Sequence, residues 1–129
     1  MVQIIMWVFL LVCNLIAPVF MILFGRRFLN NPPRERNGWY GYRTNRSMKS
    51  QDTWDFAQQY MGEIWYKAGW ALVLFAVPGQ LLTLLAPTME SMCMWSIAPT
   101  TVEIIVMLAA IIPVERALKQ KFDDNGMRR

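Results

Sequence analysis

The sequence predicts an all-α membrane protein, with three transmembrane helices and an amphipathic interfacial helix before the second span. Three observations carry that prediction. The 129 residues are 55% apolar and only 17% charged. All 13 Lys and Arg fall in two blocks, Arg26 to Lys67 and Arg116 to Arg129. The stretches that lack them, Met1 to Gly25 and Ala68 to Glu115, are the apolar parts of the chain. A chain this short cannot hold both a membrane portion and a sizeable soluble core, so residues 1–129 read as a single integral membrane domain. The absence of His removes the commonest general base and the commonest transition-metal ligand. Neither a catalytic residue nor a metal or cofactor site is expected.

The first span is placed at about residues 4–24. Ile4 to Phe24 is a run of 21 residues interrupted only by Asn14 and Pro18. The second is placed at about 68–86, where Ala68 to Ala86 gives 19 residues containing Pro78, Gly79, Gln80 and Thr83. Each reaches the ~20 residues that a helix rising ~1.5 Å per residue needs to cross ~30 Å of hydrocarbon. Val102 to Val114 is shorter, 13 residues with Glu103 near its start. Its neighbours make it a span by context, extended to about 101–118. The first segment has no basic n-region and no small-residue cleavage site, so it reads as a retained anchor. Cys13 sits within the first span and Cys93 in the linker after the second, and no pairing is expected.

Orientation follows from the basic residues, which are retained on the cytoplasmic side of short loops. Eight lie between the first two spans, counting Lys67, and five in the tail, while Pro87 to Thr100 has none. Three spans put the loop 25–67 and the tail 119–129 on one face. That face is therefore cytoplasmic and the N-terminus outside, the arrangement of an inner-membrane protein. Between Gly25 and Ser50 seven basic residues face one acid, Glu35. A positive-inside loop beside anionic lipid headgroups explains that excess, and nucleic acid is not an expected partner.

The loop breaks at Asn30-Asn31-Pro32-Pro33. Ser50 is a good N-cap and Asp52 suits the first helical turn. From there Trp54, Ala57, Met61, Ile64 or Trp65 and Ala68 recur at helical spacing, with Asp52, Asp55, Gln59 and Glu63 opposite. This is the amphipathic helix, bending into the second span. Its acidic stripe is read first as a solvated face paired loosely with Arg43 and Arg46. A cation site or a docking face for a basic peptide is the alternative. Trp39, Tyr40, Tyr42, Trp54, Tyr60, Trp65, Tyr66 and Trp70 cluster at that level as an aromatic belt.

Asn14, Gln80 and Thr83 are polar groups at membrane depth, which bond between helices or line a polar cavity. Three helices are too few to wall a pore, so a channel would need a homo-oligomer. Thr100-x-x-Glu103 ahead of an apolar run reads as a capping box, with Glu103 the reciprocal cap of the third span. An intramembrane coupling carboxylate is the other reading. The tail from Arg116 to Phe122 continues the helix, and Asp123-Asp124-Asn125-Gly126 ends it with Gly126 as C-cap.

One segment says more. Asn37-Gly38-Trp39-Tyr40-Gly41-Tyr42-Arg43-Thr44-Asn45-Arg46-Ser47-Met48-Lys49-Ser50, then Thr53-Trp54 and Ala57, closely resembles the signature of the SdpI family of bacterial membrane proteins. That signature is an Asn, a spaced Gly-Tyr-Arg-Thr, a Ser, and a Trp on the next helix. The ending, with Lys119, Phe122, Asp123, Asn125 and Gly126, is also similar. The resemblance is to the region the family shares, so the chain is read as a short form.

The resemblance implies immunity, the protection of a producing cell from a secreted peptide that attacks its membrane. It also implies the site: Asn37, Gly41, Tyr42, Arg43, Thr44, Ser47 and Trp54, joined by Arg46, Asp55 and Glu63 as charged neighbours. Arg43 could clamp a carboxylate or lipid phosphate; Thr44 and Ser47 could cap the helix near Ser50. The same residues could instead only anchor the loop, through Arg43 to Asp55 or Glu63. The expected function is thus a non-enzymatic immunity protein, with membrane lipids, a toxic peptide and a second copy of itself as candidate partners. The alternatives are a small oligomeric transporter or channel for ions, lipid or peptide, and a membrane sensor or anchor for a cytoplasmic regulator.

Overall fold

A computed structural model describes residues 1–129. The order of elements is α1 (Val2–Asn30), α2 (Gln51–Leu82), a 3₁₀ turn at Thr83–Leu85, α3 (Met89–Ala109) and α4 (Ile111–Lys121). No strand forms, and Phe122 and Arg128 make one isolated antiparallel bridge.

Three helical stretches, Val2–Asn30, Gln51–Leu85 and Met89–Lys121, are long and apolar enough to cross a membrane. Only 22%, 28% and 22% of their most apolar windows are buried within the protein. Their distribution of side chains is inverted relative to a water-soluble fold. Ile4, Ile5, Phe9, Ile16, Leu23, Leu74, Leu85, Ile105 and Leu108 are exposed, whereas Asn14, Gln80, Thr83, Ser96 and Glu103 are buried. Exposed apolar area costs roughly 25 cal/mol per Å² in water. Such a surface requires lipid around it, and the apolar faces of the three helices contact membrane lipid.

The chain forms two compact units. One comprises Met1–Ile22 and Lys67–Leu108. Its interior is held by polar contacts among three helices. Asn14 Nδ2 of α1 donates to Gln80 Oε1 of α2 at 2.6 Å. Ser96 Oγ of α3 donates to the same oxygen at 3.3 Å, and Thr100 Oγ1 donates to Asn14 Oδ1. Trp7 Nε1 donates to the Gln80 carbonyl at 3.0 Å, as does Thr83 Oγ1 at 2.6 Å. Asn14, Gln80 and Thr83 therefore bond within and between helices, as polar groups surrounded by lipid must.

This unit corrects the reading of Glu103. Helix α3 begins at Met89, where Thr88 Oγ1 accepts the Ser91 N–H at 3.1 Å. Thr100 and Glu103 are thus inside the helix, with their N–H groups in its ladder and no terminus to cap. The motif spacing is a local pattern that also fits the middle of a helix.

The other unit comprises Leu23–Tyr66 and Ala109–Arg129. Its core joins Tyr42 of the loop, Ala57 and Met61 of α2, and Ala110, Val114, Leu118 and Phe122. Phe56, Tyr60, Ile64 and Trp65 pack against that cluster. Helices α1 and α2 approach closely at Gly25 and Gly62. A Cβ on Gly25 would lie 2.5 Å from the Tyr66 backbone nitrogen, and one on Gly62 would lie 2.8 Å from Phe28 Cβ.

Three further differences from the sequence reading have local causes. Helix α2 is one element from Gln51 to Leu82, with no boundary between its first turns and the second span. Helices α3 and α4 are separated at Ala110; Pro113 lacks the N–H that would bond residue 109, and its ring crowds that carbonyl. Gly126 is not the C-cap of α4. Phe122 holds that place, its N–H reaching the Leu118 carbonyl. Gly126, at φ +83°, instead closes a turn on Asp123 with an N–H to carbonyl bond of 3.1 Å.

Candidate functional site

The site is built from the loop outward. After α1 the chain turns at Pro32-Pro33, and Trp54 Nε1 donates to the Pro33 carbonyl at 2.7 Å. Gln51 Nε2 reaches the Arg34 carbonyl at 2.6 Å. Asn37 then folds the next residues around its side chain. Its Oδ1 accepts the backbone N–H of Trp39 at 3.0 Å and of Tyr40 at 2.6 Å, an Asx turn of the kind short amides favour. Tyr40 lies edge-on to Phe28, ring centroids 5.8 Å apart, and its hydroxyl accepts Arg27 Nε at 3.0 Å.

Gly41 has φ +104°, a conformation that side chains with a Cβ rarely adopt. The space is closed as well, since a Cβ would meet Gln58 Oε1 at 2.8 Å and Trp54 Cζ2 at 3.3 Å. The reason for this closeness is Gln58. Its Oε1 accepts the Tyr42 N–H at 2.7 Å and its Nε2 donates to the Tyr42 carbonyl at 2.8 Å. A side-chain amide thus pairs with one residue's backbone as a neighbouring strand would, and satisfies both groups where water is excluded. Gly41 lets the loop approach α2 closely enough for this pairing.

Tyr42 extends the connection to the C-terminal part of the unit. Its hydroxyl donates to Glu115 Oε1 at 2.6 Å. Burial, and after it the bond to the negative Glu115 carboxylate, push the phenol far above its ordinary range. The folded state therefore favours the neutral phenol. The stabilisation is complete below the ordinary tyrosine value of about 10 and is lost as pH rises above it. Tyr42→Phe should remove about 1.5–3 kcal/mol, the range for a hydrogen bond to a charged group. Its unfolding midpoint in detergent should also fall less steeply than the parent's at alkaline pH; equal stability and equal alkaline slope would contradict this.

Thr44 and Ser47 close the next turn reciprocally. The Thr44 N–H reaches Ser47 Oγ at 2.8 Å, and the Ser47 N–H reaches Thr44 Oγ1 at 3.2 Å. Neither caps α2, because Ser50 does so: its Oγ accepts the Thr53 N–H at 3.1 Å while Thr53 Oγ1 accepts the Ser50 N–H at 2.9 Å. The tail docks on the same spot, with Ser50 Oγ donating to the Gly126 carbonyl at 2.7 Å.

The structure therefore brings Asn37, Gly41, Tyr42, Thr44, Ser47 and Trp54 into one bonded loop. The charged candidates are arranged otherwise. Arg43 is exposed and its Nη1 donates to the Gly38 carbonyl, so its guanidinium turns back on its own loop instead of reaching Asp55. Asp55 accepts Gln51 Nε2 at 2.8 Å. Arg46 faces Asp124 at 3.7 Å, an exposed pair of small energetic worth, and not the acidic stripe of α2. Asp52, Asp55, Gln59 and Glu63 are exposed along α2. The aromatic group divides too. Trp54 and Tyr42 are buried in protein while Trp39 is 82% exposed, so the cluster is not one lipid-facing belt.

Two residues of this site escaped the sequence reading. Gln58 is fully buried, and its signal was a polar residue on the helix face of Trp54, Ala57 and Met61. Glu115 had only a weak signal, an acid where the basic block of the tail begins.

The signature of the SdpI/YfhL protein family matches residues 34–115, more than half of the chain. The chain belongs to the SdpI/YfhL protein family. The matched region holds every candidate above together with Gln58, Glu103 and Glu115, and it includes the bonded loop from Asn37 to Trp54. It stops before Lys119 to Gly126. No curated protein and no solved structure matches the chain.

Proposed function

We propose that this chain is a non-enzymatic immunity protein of the bacterial cytoplasmic membrane, which protects the cell by binding or blocking a membrane-active peptide toxin. Membership of the family, over a region that includes the whole loop motif, is the observation that carries this reading. The motif lies on the basic side, which the distribution of Lys and Arg makes cytoplasmic, with the N-terminus outside. On that topology the first turns of α2 lie along the inner interface, with their acidic residues toward water and headgroups.

The loop has two classes of residue. Asn37, Gly41, Tyr42, Thr44, Ser47 and Trp54 position the backbone. Arg43, with Arg46, Asp55 and Glu63 on the adjoining surface, presents charge to a ligand. Arg43 offers five N–H donors in a planar fork, and the Gly38 carbonyl uses Nη1 alone. Remaining donors suit a carboxylate or phosphate at the membrane surface.

The test is survival. Sensitive bacteria expressing the chain, or an empty vector, are exposed to a panel of membrane-active bacterial peptides, with viable count and membrane potential as readouts. The reading predicts that the chain preserves both against at least one peptide. Equal killing and equal depolarisation across the panel would count against it.

A further inference from the structure

We propose that Glu103 and the oxygen-bearing side chains beside it form a site for one small monovalent cation, a proton or an alkali-metal ion, within the membrane-embedded unit. Glu103 is 1% exposed, and its Oε1 is buried with no hydrogen-bond partner. Every other buried polar side chain of this unit (Asn14, Gln80, Thr83 and Ser96) has at least one. An orphaned carboxylate oxygen therefore stands out against a satisfied background, where such groups normally find partners. The helix-capping role that would have explained it is absent, because α3 begins at Met89.

The surroundings limit what the ligand can be. Glu103 follows Thr100 by three residues and Ser96 by seven, so the three share one face of α3. The Thr100 hydroxyl is bonded to Asn14 and the Ser96 hydroxyl to Gln80, which places two carboxamides beside that face. The donors are hard oxygens, with no imidazole or thiolate among them, which disfavours soft transition metals. The charge is a single negative one. The unit's other titratable groups are the Met1 amine, Cys13, Lys67, Glu90 and Cys93; Cys13, Lys67 and Glu90 are exposed and Cys93 is half-buried. An unpaired charge is strongly disfavoured at this depth, and a monovalent cation cancels it where a divalent one would leave a surplus. Burial to 1% leaves no access for a peptide ammonium on its chain. The site is independent of the immunity reading, since it belongs to the unit without the loop motif.

The experiment uses the full chain in detergent and dicyclohexylcarbodiimide, an apolar reagent for carboxyl groups, with mass spectrometry of the peptide that contains Glu103. Labelling is compared in choline, sodium, lithium and potassium chloride at one pH, then in choline from about pH 6 to about pH 9. An alkali ion at about ten times its Kd for Glu103 lowers labelling roughly tenfold. Labelling that ignores the salts but changes as much with pH assigns the proton. Labelling of Glu103 that no cation and no pH change alters, or none at Glu103 while other carboxyls react, overturns the site. The unfolding temperature gives a second readout. The parent should be stabilised by the cation that protects it, and Glu103→Gln, which keeps the shape without the charge, should not respond. An equal response in both would also overturn the proposal.

Discussion

Gly25→Leu is expected to abolish the folded protein. A Cβ at residue 25 would stand 2.5 Å from the Tyr66 nitrogen, 2.7 Å from the Gly62 carbonyl oxygen and 2.9 Å from Tyr66 Cα. All three are backbone atoms of α2, so no rotamer change relieves the contact and the two helices must move apart. Inserting methylenes against flexible side chains costs about 1–3 kcal/mol, and against fixed backbone the cost exceeds that range. Total stability of a domain is only about 5–15 kcal/mol. The separation would also remove the close contact that small residues give to helices in lipid, where no hydrophobic force holds them together. Gly38→Ala is the matching control, since nothing lies within 4 Å of its added methyl. Size-exclusion profile and unfolding midpoint in detergent check both. A monodisperse Gly25→Leu protein with the parent's midpoint would contradict the packing described for α1 and α2.

Gln58→Leu should have the next largest effect, a loss of about 2–4 kcal/mol. Leu has similar volume, so the cost is chemical. The variant leaves the Tyr42 N–H and carbonyl without the partners that Gln58 supplied at 2.7 and 2.8 Å. Each unpaired buried group costs about 1–3 kcal/mol, and the Ser47 hydroxyl, which donates to the same carbonyl at 3.1 Å, reduces the second share. Proteolysis between Arg34 and Lys49 should accelerate in this variant ahead of cleavage elsewhere, because the loop loses its attachment to α2 while the helices remain. Parental cleavage rates in the loop would show that Gln58 does not hold it.

The sequence and the structure agree where a signal is local and strong. Two long apolar runs marked α1 and α2, and Ser50 marked the start of α2, because a hydroxyl before a helical period has few other uses. The start of α3 was less legible. Pro87, Glu90, Ser91, Ser96 and Pro99 give Pro87 to Thr100 the composition of a linker, yet Met89–Ala109 is one helix with Pro99 inside it. In lipid a helix interrupted by proline keeps its course when neighbouring side chains and helices support it. The same error in placing the terminus turned Thr100 and Glu103 into a cap. Gln58 and Glu115 were hidden for a different reason. Periodicity assigns faces by apolarity, and it does not say that a polar residue on the inner face is paired with a backbone 16 residues away. That partnership exists only once the loop has folded.

The loop combines residues of unlike purpose. Gly41, Tyr42, Ser47 and Trp54 are spent on attaching the loop to α2 and α4, so their replacement should damage the fold before it damages any encounter with a ligand. Arg43 differs, being exposed and bonded only to the carbonyl of Gly38 within its own loop. The loop is therefore a bonded platform from which the Arg43 side chain stands exposed.

The most direct test of the proposed role compares Arg43→Ala with the parent chain in the survival assay, at matched amounts of membrane-inserted protein. The account predicts that Arg43→Ala keeps the parent's abundance and unfolding midpoint but no longer preserves viability or membrane potential against the peptide the parent resists. Protection at the parental level by Arg43→Ala would contradict it, and would leave the motif as an anchor for the loop alone.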